Sequence, residues 1–190
     1  ASDYSVATDS SLLSVGVSIQ DEKIVLNVSR AAGVVTVKGC SVTVTNKVTG
    51  LYTTIKISNG LEKDGLGNYV ITSAYDLAYV SENITELSKA SFVVNSDIDM
   101  SELSSFAPIG GTMLPFSGTF NGNGHTISNL KINGTSKSGL FASLDNAEIS
   151  NLVIASAQVN AKGLYSAVLA GHISGNTTLN NISVKDSNVA

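Results

Sequence analysis

One six-residue phrase, returning three times, constrains this chain more than any other feature. It reads apolar-x-Asn-apolar-x-apolar and occurs as Ile127-Ser128-Asn129-Leu130-Lys131-Ile132, Ile149-Ser150-Asn151-Leu152-Val153-Ile154 and Leu179-Asn180-Asn181-Ile182-Ser183-Val184. The first residues of the phrase are 149 - 127 = 22 and 179 - 149 = 30 positions apart, a period typical of one coil of a parallel β-helix with a longer loop in the second interval. The closing apolar-x-apolar step is a strand that points two side chains inward. The three-residue step before it breaks alternation and implies a bend. Asn tolerates the left-handed backbone region, so the pattern predicts that Asn129, Asn151 and Asn181 sit at bends and stack as one ladder. Between the anchors, the small residues of Gly139-Leu140-Phe141-Ala142-Ser143-Leu144 and Ser166-Ala167-Val168-Leu169-Ala170-Gly171 suit a second face of the same coils.

Upstream of the repeat the signals change. Ser73 can cap a helix and Asp76 can meet its free N–H groups, while Leu77, Val80, Ile84 and Leu87 recur at helical spacing. A helix over about 73–88, placed before a solenoid, predicts an end cap that shields the first coil from water. Asn-Gly, Asp-Gly and Gly-Asn crowd between Asn59 and Asn68, which marks a domain boundary. Before it, Leu13, Val15, Val17 and Ile19 alternate, as do Val35 and Val37, Val42 and Val44, and Ile55 and Ile57. Turns are predicted at 20–23, 31–33, 38–39, 46–47 and 58–60. The resulting expectation is an all-β chain with a small antiparallel β-sandwich-like module over 1–62 and a right-handed parallel β-helix over 63–190.

Several function classes fall away on charge and composition. The net charge is -4 and the eleven Lys and Arg residues are scattered singly, which argues against a nucleic-acid partner. No run approaches the length of a bilayer span, so no membrane insertion by this chain is expected. The start at Ala1 lacks the regions of a signal peptide, and a signal or lipoprotein segment is expected to have been removed. The one cysteine, Cys40, cannot form an internal disulfide and reads as a small core residue.

A longer stretch carries a family likeness. Phe106-Ala107-Pro108-Ile109-Gly110, Pro115-Phe116-Ser117-Gly118-Thr119-Phe120-Asn121-Gly122-Asn123-Gly124-His125-Thr126-Ile127-Ser128-Asn129-Leu130 and Gly139-Leu140-Phe141 resemble the opening of GLUG-motif repeat proteins. Tyr69-Val70-Ile71 with Asp76-Leu77, and Asn95-Ser96-Asp97-Ile98-Asp99-Met100, resemble the lead-in of that family, so the likeness runs from about residue 68 to the end. It implies a right-handed parallel β-helix on a bacterial surface protein of adhesin type, found also beside an immunoglobulin-A-cleaving metallopeptidase. The His-Glu-x-x-His motif of that peptidase is missing from this chain, and Tyr165 to Gly171 only approximates the family's Gly-rich phrase.

Candidate chemistry is sparse. Asp97 and Asp99, with Glu102 nearby, form the best acidic cluster, but alternation with Ile98 and Met100 places both Asp residues on a solvated strand face. The Asp97-x-Asp99-x-Ser101 start of a calcium loop lacks its later Gly and Glu. His125 and His172 have no second ligand at metal spacing, and no Gly-x-Ser-x-Gly elbow is present. Gly118, Gly122 and Gly124 read as turn glycines because neither a Lys-Ser pair nor a helix follows. Sequons such as those at Asn83 and Asn133 would matter only in a eukaryotic secretory route. No catalytic, cofactor-binding or metal-binding residue is assigned, no cofactor is expected, and the ligand-binding residues are unknown. The expected function is that of a non-enzymatic, secreted or cell-surface, adhesin-like protein whose solenoid is a spacer or a binding face for a host or microbial glycan or a surface protein. The alternatives are a carbohydrate-active β-helix enzyme, which would need a cleft with clustered carboxylates, and a purely structural piece of a larger surface protein.

Overall fold

Alternating apolar residues make antiparallel strands of the first unit, Ala1–Gly60. The computed structural model describes residues 3–8, 13–20, 23–30, 40–57, 60–134 and 136–190. Within the first unit, β1 (Tyr4–Thr8), β4 (Cys40–Asn46) and β5 (Tyr52–Ile57) form one antiparallel sheet, while β2 (Leu13–Gln20) and β3 (Lys23–Arg30) form a hairpin. Leu13 and Val42 are buried between them, with Val15, Leu26 and Val28 packed around. The expected turn at Asn46 is present, its carboxamide oxygen accepting from the N–H groups of Val48 and Thr49 at 2.9 and 3.1 Å. Outside the described residues fall the predicted turns at 31–33 and 38–39, parts of those at 20–23 and 58–60, the Val35 and Val37 pair, and the side chains of Cys40, Ile55 and Ile57.

The second unit, Leu61–Ala190, is a parallel β-solenoid of about three turns. Its strands are β6 (Tyr69–Ile71), β7 (Ser91–Val94), β8 (Ile98–Asp99), β9 (Thr119–Asn121), β10 (Thr126–Ser128), β11 (Lys131–Gly134), β12 (Phe141–Asp145), β13 (Glu148–Ala155), β14 (Gln158–Ala161), β15 (Ala170–Ser174), β16 (Thr178–Lys185) and β17 (Asn188–Val189). The first face stacks β6, β7, β9 and the opening halves of β13 and β16. A second face stacks β8, β10 and the closing halves of β13 and β16; a third stacks β11, β14 and β17. On the remaining side β12 pairs with β15, and Ile109 and Phe116 bridge onto Phe141 and Leu144.

Inward rows explain why the stack holds. Phe92, Phe120 and Ile149 align on the first face, Ile98, Ile127 and Ile154 on the second, and Ile132 and Val159 on the third, all 2% exposed or less. Each such side chain removed from water stabilises the fold by about 1.5–3 kcal/mol. Phe116 and Phe141 stack at 5.4 Å between ring centres, and Phe120 meets Phe141 edge-on at the same distance. In the same rows of the last coil, Leu179, Val184 and Val189 are 43–46% exposed.

The Asn ladder differs from the expected one. All three Asn residues occupy the left-handed region, with φ of 57°, 51° and 53° at Asn129, Asn151 and Asn181. However, Ile127 pairs with Ile154, 27 residues on, and not with Ile149. Asn151 therefore stacks with Asn181 and with Asn121, through amide hydrogen bonds of 3.0 and 3.2 Å. Asn129 stands at the next corner, in register with Ser156 and Asp186, whose φ values are 53° and 47°. Two corners of the coil use the same left-handed device after a strand, so one sequence phrase serves both.

The expected helix divides in two. Ser73 Oγ accepts from the Asp76 N–H at 3.2 Å and starts α1 (Ala74–Glu82); α2 (Ile84–Leu87) follows. Asn83 makes the break, leaving helical geometry at φ -108°, ψ 26° while its side-chain amide donates to the Tyr79 carbonyl at 2.8 Å. Leu77, Val80 and Leu87 are buried as the spacing predicts, and Ser81 donates to the Ala107 carbonyl at 2.7 Å. The outer edge of β6 is covered by the chain's own fold-back: Lys63 bridges Tyr69 antiparallel, and the Val70 N–H donates to Glu62 at 2.8 Å.

Candidate functional site

Alternation that sends Phe92, Phe120 and Ile149 into the core sends their neighbours out. On the first face Ser91, Thr119, Glu148 and Thr178 share one register, and Val93, Asn121, Ser150 and Asn180 the next. Successive members of a row are about 4.8 Å apart, the spacing of adjacent strands. Among the described residues, the side chains of Ser91, Thr119, Glu148, Ser150 and Thr178 have no hydrogen-bond partner. This face thus presents donors and acceptors that no described side chain or backbone group engages.

Two adjoining depressions mark the surface of this face. One, of about 330 Å³, is walled by the turn carrying Asp64, Leu66 and Asn68 and floored by Asn121 and Ser150. The other, of about 320 Å³, follows the corner of Lys89, Ser117, Asn146 and Asn176. Thr119 and Glu148 line both. Gly118 lies at this corner, where an added Cβ would run into the Ala90 carbonyl of the preceding coil. The Asp64 turn is firm: its carboxylate accepts from the N–H groups of Leu66 and Asn68 and from the Asn68 amide, each at 2.9 Å. The Asn68 side chain, first among these donors, holds the Asp64 carboxyl below its ordinary range.

The residues singled out in the sequence lie elsewhere. Asp97 and Asp99 project to solvent at the start of the second face. Asp97 accepts from the Thr126 N–H at 2.9 Å and faces His125 Nδ1 at 3.2 Å, while Asp99 accepts from the Asn129 amide and the Ser101 N–H, both at 2.9 Å. Both carboxyls are held below their ordinary range, Asp97 by the Thr126 N–H first and then His125, Asp99 by the Asn129 amide first and then Ser101. They tie one coil to the next. Sequence spacing hid the Asp97 and His125 contact because one coil of chain separates the pair. Glu102 closes the 3-10 turn Met100–Glu102.

Gly122 and Gly124 serve a corner, where a Cβ on Gly122 would meet the Asn151 carbonyl and Gly124 has φ of 81°. His172 lies in register with Ser143; His172 Nδ1 and Ser143 Oγ are buried without partners, and Tyr165 meets the imidazole edge-on at 6.2 Å. Among the described residues no three His, Cys, Asp or Glu side chains converge to hold a metal, and no helix is long and apolar enough to cross a membrane. The first-face rows escaped the sequence reading. Their signal is Thr119-x-Asn121, Glu148-x-Ser150 and Thr178-x-Asn180, which recur one coil apart around the inward Phe120, Ile149 and Leu179. Comparison with known proteins gave no match, whether to a protein-family model, a curated protein or a solved structure.

Proposed function

We propose that the chain is a non-enzymatic, adhesin-like protein of the cell surface or extracellular space, whose solenoid holds a binding face for glycan or protein. One observation carries the reading: a parallel stack presents an in-register row of hydroxyl and carboxylate groups, Ser91, Thr119, Glu148 and Thr178, that nothing among the described residues engages. Preorganised polar groups on a rigid scaffold bind with little ordering cost. The likeness of residues 106–141 to GLUG-motif repeats supports a bacterial surface setting.

Immobilised glycans and extracellular-matrix proteins, probed with the purified chain, test the proposal. Saturable binding to at least one surface, with the bound polysaccharide recovered intact, is the expected result. Release of shortened polysaccharide would overturn it in favour of a carbohydrate-active enzyme. Failure to bind any surface would reduce the solenoid to a spacer.

A further inference from the structure

We infer that the outer face of the first sheet, centred on Thr119 and Glu148, binds an unbranched neutral polysaccharide lying along the solenoid axis. The inference rests on the binding role proposed above and gives it a place and a ligand class.

Four features select this ligand. The first is repeat distance. Ser91, Thr119, Glu148 and Thr178 recur at about the 4.8 Å strand spacing, close to the rise per sugar in an extended β-1,4-linked pyranose chain. A polymer running across the strands would meet about one row member per sugar, with successive sugars turning alternate edges to the row. The second is functional-group type. Ser, Thr, Asn and Glu side chains both donate to and accept from hydroxyl groups, apart from the carboxylate, which only accepts.

The third feature is charge. Among the described residues, Lys89, Asp64 and Glu148 are the charged side chains that line the two depressions. One cation set among two anions offers no strong field to a polyanion, and Glu148 at the centre opposes one. The fourth is shape. The two depressions meet at Thr119 and Glu148, so they extend one binding surface across successive coils, with the Asp64 turn as a wall. Each is at the small end of the range for small-molecule sites, roughly 300–1,000 Å³.

Other polar rows of the solenoid lack this combination. On the third face Asn160 donates to Asn133, at 3.5 Å, and Asn133 to Ser105. At the corners Asn121, Asn151 and Asn181 bond to one another. Among the described residues, the first-face row is the one in which four successive strands leave hydroxyl or carboxylate groups unengaged.

Titration of the full chain with cellohexaose and with xylohexaose, followed by isothermal calorimetry and by backbone amide shifts, tests the site. Binding of at least one hexamer is expected, with the largest shifts at 119, 148, 150 and 178. Thr119→Val combined with Glu148→Ala should weaken binding on the order of 30- to 100-fold, the loss of two hydrogen bonds, one to a charged acceptor. Asn160→Ala on the third face should leave affinity unchanged. Folding of each variant is checked by its melting curve. Hexamer binding that the double variant leaves intact would overturn this site while sparing the adhesin reading. Absence of hexamer binding, in a chain that still adheres to matrix protein or to an anionic glycan, would overturn the ligand class. Absence of all binding would remove both.

Discussion

The corner rows and the first-face row of the solenoid are built from similar residues and do opposite things. At the corners, Asn121, Asn151 and Asn181 bond along the stack, Ser174 donates to Asp145 at 2.9 Å, and Asn146 accepts from the Asn176 N–H at 3.0 Å. These side chains complete the polar groups of a tight bend. On the first face Thr119 and Glu148 stand in equally strict register, yet the strands beneath them already satisfy their own backbones. Regular repetition of a polar residue therefore has two causes in one fold, and only the hydrogen-bond partners separate them.

Substitutions that respect this division should differ in kind. The largest loss is expected for Gly122→Val, whose side chain would meet the Asn151 carbonyl and the Leu152 backbone; pushing two coils apart should cost about 3 kcal/mol. A melting temperature within a degree of the parent would refute the close approach. Asn151→Ala removes both amide contacts and places Ala at a φ of 51°, for an expected loss of about 2 kcal/mol in urea unfolding. Asn151→Pro, which fixes φ near -65°, should cost more.

Acid should produce a smaller effect. Asp97 and Asp99 have folded carboxyls held below their ordinary range, so the stability they add is present above the unfolded value, about pH 4, and is lost as pH falls through the folded values. Melting temperature should thus be flat from neutrality to about pH 5 and decline below about pH 4. Asp97→Asn and Asp99→Asn together should lower the neutral value slightly and flatten that decline. An unaltered acid profile would show that these ties contribute nothing. Smallest of all is Thr119→Val on the free row, expected to shift stability by no more than about 0.5 kcal/mol. A larger drop would mean that this hydroxyl serves the fold after all.

Much of the solenoid was legible because burial follows alternation. Ile127, Ile149 and Ile154 are core residues that their spacing alone identifies, whereas β12 is buried at four consecutive positions and shows no alternation; Ser73 caps a helix where hydrogen-bonding chemistry says it can. The register departs from the one the spacing predicts for a physical reason. Different corners accept the same left-handed residue, so Asn129 resembled Asn151 in sequence while belonging with Ser156 and Asp186 in space. Corner lengths also vary, since Gly122 to His125 fills the place that Asn151 and Leu152 fill one coil later. The helix break at Asn83 escaped because the apolar spacing continues through it. Neither the free polar row nor the Asp97 contact with His125 could be read, because both join residues about one coil apart, a separation that depends on each corner's length.

The pairing of coil on coil fixes how the solenoid would carry a load. Strand hydrogen bonds run from one coil to the next, along the axis, so a pull on the two ends draws those bonds apart in sequence and does not shear them all together. The outermost coil would peel first, and each coil of about 30 residues would pay out roughly 100 Å of extended chain. A tether that lengthens in such steps yields under a sudden tug while its remaining coils stay wound.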